Sequence, residues 1–167
     1  MISAKVGAAC LALLASATLD SVIAAASAPD VYPFVAAIAK ATAGAQIQGD
    51  QRFEKVVTFG RNASGELVVT TLEALNVGQR PQLPSGTVGV MIVHYQGQCG
   101  PPLASDDYAA SQGVQDFVVS STGENIWEVT AADGASEVRS VEGPGRFGPW
   151  EKFQTDPTQY RSYACDA

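Results

Sequence analysis

The chain has 167 residues, 46% of them hydrophobic, which is enough for one domain with a real core and too apolar for disorder. Its formal net charge is -7, with 10 Lys and Arg against 17 Asp and Glu. That balance, with no basic cluster or stripe, argues against nucleic-acid binding and against docking on anionic membranes.

The first residues read as an export signal. Lys5 precedes a short apolar stretch, Val6 to Leu14, and Ala15-Ser16-Ala17 supplies a small-x-small cleavage site. Residues 1–17 are therefore expected to be a signal peptide, with Ala26-Ser27-Ala28 as an alternative end, and the mature protein to be periplasmic or secreted. The stretch is short and is interrupted by Asp20, so stable membrane insertion is not expected. Of three cysteines, Cys10 leaves with such a leader and Cys99 and Cys165 remain. Two cysteines in an oxidising compartment usually pair, and a Cys99–Cys165 disulfide would stabilise by about 3–5 kcal/mol through the long loop it closes.

Residues 29–167 are expected to form a single domain. Phe34, Ile38 and Ala41 recur at helical spacing, Pro33 suits a first turn and Gly44 a stop, so 29–45 reads as a helix. Residues 46–53 read as polar connection. Lys55–Gly60 and Glu66–Thr71 are β-branched runs around an Arg61–Gly65 turn, which predicts a hairpin. Residues 73–86 read as a loop. The run at 87–95 is almost wholly apolar and suits a central strand covered on both faces.

Ser105 can cap a short helix at 106–112, with Asp106 and Asp107 in its first turn. Strands at 116–120 and 125–129 follow, with a last edge strand at 135–141. Residues 143–167, rich in Gly, Pro and aromatics, read as an irregular packed tail. The order of elements predicts an α+β domain: a mixed β-sheet with flanking helices.

The only histidine, His94, stands where the apolar strand runs out into a loop. A side chain there is held rigidly beside solvent or a cleft, so it is the first candidate for a site. Glu54, at the head of the hairpin, and Asp107 are the carboxylates to consider with it. Each also has a plainer role. His94 can be a strand-end residue bonded to the backbone, Asp107 a helix N-terminal charge, and Glu54 a solvated charge between Arg52 and Lys55.

The segment 54–129 resembles the JAMM (MPN-type) metallo-isopeptidase superfamily, in particular a bacterial branch found in secreted and toxin-associated proteins. There, a glutamate on an early strand is the general base, and a central strand ends in His-x-His. Seven intervening residues later comes Ser-x-x-Asp. The histidines and the aspartate bind zinc, and the serine helps hold the oxyanion. The resemblance sets Glu54 in the place of the base and His94 in that of the first histidine. Gln96 replaces the second histidine and Ala104 the serine, and Asp107 matches the aspartate. It implies a JAMM-like, cytidine-deaminase-like architecture.

The departures weaken the metal site that the resemblance implies. A catalytic zinc usually takes three protein ligands, and the Gln96 amide oxygen is a poor replacement for imidazole nitrogen. Ala104 supplies no hydroxyl, and one lost oxyanion donor costs about 10²–10³ in rate. Ser105 lies next door, with helix capping as its simpler role. The expectation is an exported domain with a degenerate motif and no cofactor. It would bind a protein or a peptide-like envelope component around His94, Gln96 and Asp107. The alternatives are a zinc-dependent amide or isopeptide hydrolase and a structural or secretion accessory protein.

Overall fold

The computed structural model describes residues 31–44, 47–49, 51–97, 108–132, 135–143 and 146–152. Helix α1 spans Val31–Thr42 and buries Val31, Tyr32, Val35, Ala39 and Thr42 along one stripe. Lys40 complements the dipole in its last turn, and the Lys55 ammonium donates to the Thr42 carbonyl at 3.1 Å. Gly44 donates its N–H to the Ser121 carbonyl at 2.8 Å, tying the helix end to the sheet.

The strands are β1 (Ile47–Gln48), β2 (Gln51–Arg61), β3 (Leu67–Asn76), β4 (Thr87–Val93), β5 (Gln115–Val119), β6 (Ile126–Ala132), β7 (Ala135–Gly143), β8 (Arg146–Phe147) and β9 (Glu151–Lys152). A single turn of helix, α2 (Tyr108–Ser111), lies between β4 and β5. The sheet runs β1-β2-β4-β5-β6-β7-β8, with β3 also on β2 and β9 on β7. All pairs are antiparallel except β4 with β5, which are parallel.

Side chains alternate across this sheet and feed two cores. On one face Val57, Phe59, Met91, Val93, Phe117 and Val119 pack against α1. On the other, Val56, Val90, Ile92, Val118 and Val129 pack with Ala109 of α2. The central β4 is therefore buried on both sides, as its apolar run requires. Gly89 of β4 faces Phe59 of β2, and a Cβ there would lie 2.2 Å from the ring's Cζ. The aromatic ring fills the space that glycine leaves. In β3 a bulge makes room for Thr70 beside Thr71, and the buried Thr58 hydroxyl lies 2.7 Å from both of their Oγ1 atoms.

The α+β expectation, a mixed sheet with flanking helices in a JAMM-like, cytidine-deaminase-like architecture, is corrected by these elements. Among the described residues, helices of 12 and four residues accompany a nine-stranded sheet, so the domain is mostly β. Four residues make one turn, too short to form a covering layer. Two stretches expected as connection or loop are strand, and one strand expected at an edge is not. The polar stretch before 55 belongs to β1 and β2, whose Gln51 and Arg52 are exposed. The stretch expected as loop from 73 continues β3 to Asn76. The 135–141 strand is not an edge, because β8 and β9 pair with it.

Candidate functional site

Glu54 and His94 come together through sheet register. Lys55 pairs with Val93, so the next positions outward, Glu54 and His94, oppose each other across β2 and the end of β4. By alternation both side chains fall on the face of Val56 and Ile92, the α2 side. Glu54 Oε1 lies 3.0 Å from His94 Nδ1. His94 is 0% exposed and Glu54 5%. His94 also donates its backbone N–H to the Val119 carbonyl at 2.9 Å, which extends the parallel pairing of β4 with β5 beyond Val93.

Glu54 is thus not a solvated charge beside Arg52 and Lys55. A carboxylate in hydrogen-bond contact with an imidazole, inside the core, is shielded from bulk water. A general base must reach the proton it abstracts directly or through one water. A carboxylate on Nδ1 can instead orient a histidine that ligates metal through its other nitrogen.

Of the zinc ligands that the resemblance implies, His94 and Gln96 lie within the described residues. Gln96 is exposed in the turn that follows the pair, and Asp107, Ser105 and Ala104 lie outside the described residues, as do Cys99 and Cys165. Among the described residues no three His, Cys, Asp or Glu side chains converge on a point where an ion could sit.

Two polar clusters escaped the sequence reading. Asp116 of β5 is 0% exposed, and its Oδ2 accepts the Ala110 N–H at 3.2 Å, anchoring α2 on the sheet. The signal was a lone carboxylate in phase with Val118 in an apolar strand. On the α1 face, Glu128 of β6 accepts from the Tyr32 hydroxyl at 3.0 Å and from Arg139 Nε at 2.8 Å. Arg139 opposes Glu128 directly and stacks its guanidinium 4.1 Å from the Phe147 ring centre and 4.3 Å from that of Trp150. Burial, with Glu128 beside it, pushes the Tyr32 hydroxyl up to about 12.

A cleft of about 480 Å³ opens on this α1 face, between the helix and the sheet edge where β6 begins and β7 ends. Val35, Ala36, Ile126 and Val141 form apolar walls, and Lys40, Glu124 and Glu142 carry its charges. It lies on the opposite face of the sheet from Glu54 and His94. Among the described residues no helix is long and apolar enough to cross a membrane. Comparison with protein-family models, with curated proteins and with solved structures finds no match for this chain.

Proposed function

We propose that this chain is an exported, non-catalytic binding protein for a protein or a peptide-like envelope component. In this reading its JAMM-type motif has degenerated, and Glu54 and His94 serve the core rather than a reaction. The observation that carries the reading is the closed Glu54–His94 contact, with His94 fully buried and Glu54 nearly so. The base and the first metal ligand of the resembled motif are spent on each other. Gln96 and Ala104 at the two substituted positions support the same reading from sequence.

The second reading, a zinc-dependent amide or isopeptide hydrolase, draws on one observation: the carboxylate stands on Nδ1, where it would orient a ligating histidine. Metal content separates the two. The purified mature protein, dialysed against micromolar zinc, is expected to retain far less than one equivalent, and His94→Gln to retain no less than the parent. Stoichiometric zinc lost in His94→Gln, with folding intact by circular dichroism, would overturn the binding reading in favour of the hydrolase.

A further inference from the structure

We infer that the cleft between α1 and the strand ends where β6 begins and β7 finishes is the recognition site, and that its ligand is a peptide segment with apolar side chains flanked by lysine or arginine. This rests on the binding reading above and adds to it the place and the chemistry.

The volume, about 480 Å³, lies within the range of pockets that hold small ligands and short segments. Its walls are built rather than incidental. Val35 belongs to the core stripe of α1, and Ile126 and Val141 pack against the same core from the sheet side. The turn after β5 closes one end. Gly123 there has a φ of +78, and a Cβ on it would stand 2.9 Å from the Ala39 carbonyl oxygen, so the turn presses against the helix as only glycine allows. Tyr32, held by Glu128 and packed at a tilt against the Phe147 ring, stands at the other end.

Charge selects the occupant. Two carboxylates, Glu124 and Glu142, stand at the cleft against one ammonium, Lys40, and all three are exposed. The neighbouring Glu128 is already engaged by Arg139. The chain as a whole carries -7. Local and long-range fields therefore both favour a cationic ligand and repel an anionic one. The apolar walls call for aliphatic side chains between the charges, a pattern that a free cation or a sugar lacks.

The test is calorimetric titration of the mature protein with the blocked peptides Ac-Lys-Leu-Leu-Lys-NH2 and Ac-Glu-Leu-Leu-Glu-NH2. The lysine peptide is expected to bind with a Kd below about 1 mM, and the glutamate peptide at least about tenfold more weakly. Ala36→Trp, which fills the cleft from a half-buried helix position, should abolish binding. The exposed pair Glu124→Lys and Glu142→Lys should weaken it at least about tenfold without lowering the melting temperature, which keeps the test sound if Ala36→Trp folds poorly. Lysine-peptide binding unchanged by the charge reversal would overturn the cleft assignment and leave the binding reading standing. No binding of the lysine peptide to the parent protein would overturn the ligand chemistry and with it this inference. The binding reading itself falls only to the His94-dependent zinc described above.

Discussion

Replacing Glu54 and His94 by leucine, singly and together, reads out what the pair is for. Both side chains are out of water and 3.0 Å apart, so either single change leaves the other polar group buried without this partner. A buried donor or acceptor left in that state costs about 1–3 kcal/mol. Where the remaining group is ionised, the cost is about 3–5 kcal/mol. Removing both removes the desolvation problem, and a well-packed apolar replacement is often neutral or better. Each single variant is therefore expected to lose about 1–5 kcal/mol and the double variant less than either, so that the coupling between the two exceeds the larger single loss. Urea unfolding followed by tryptophan fluorescence measures it, since the chain has two tryptophans. Residues retained for chemistry behave differently, because their replacement often leaves stability unchanged or raises it. Single variants within about 0.5 kcal/mol of the parent, or strictly additive losses, would refute the structural role.

Gly89→Ala drives a methyl into the Phe59 ring. It should cost about 1–3 kcal/mol and lower the melting temperature by about 2–12 °C, with partial recovery on adding Phe59→Leu. Tyr32 supplies a pH signature. Its hydroxyl ionises near 10 in the unfolded chain and at about 12 in the folded one, so its contribution is complete below 10 and fades as pH rises towards 12. Unfolding free energies at about pH 9 and about pH 11 should differ more for the parent than for Tyr32→Phe, and equal slopes would contradict the buried contact with Glu128.

The sequence made the backbone of this fold legible where apolar periodicity was unambiguous. Helix α1, the β2–β3 hairpin and the buried β4 stand within a few residues of their expected bounds. It misled where strands carry exposed polar residues. Gln51 and Arg52 face solvent in β2, and β3 carries Glu73 and Asn76 and exposes Leu72 along a margin that no third strand covers among the described residues. Local composition there is that of a loop, and only pairing with β2 makes it strand. Fold class failed for a related reason. β1, β8 and β9 lie in stretches read as connection and as irregular tail, and they add strand without adding helix.

The site was half legible. His94 and Glu54 were both singled out, yet as parts of an open centre. Their burial against each other follows from register, which places 54 opposite 94 and which no single strand reveals. The same holds for Glu128 and Arg139, facing partners on β6 and β7. The cleft has no motif at all, because its walls come from a helix stripe, a turn and two strand ends far apart in the chain.

The most direct test uses the fact that His94 is the only histidine. A long-range proton–nitrogen spectrum of the protein labelled with nitrogen-15 reports one imidazole, and recording it before and after one equivalent of zinc follows that ring alone. A single ring environment, slow to exchange with solvent and unmoved by the metal, is expected. A ring that exchanges freely, or whose nitrogen signal shifts stoichiometrically with zinc, would contradict a pair closed in the core.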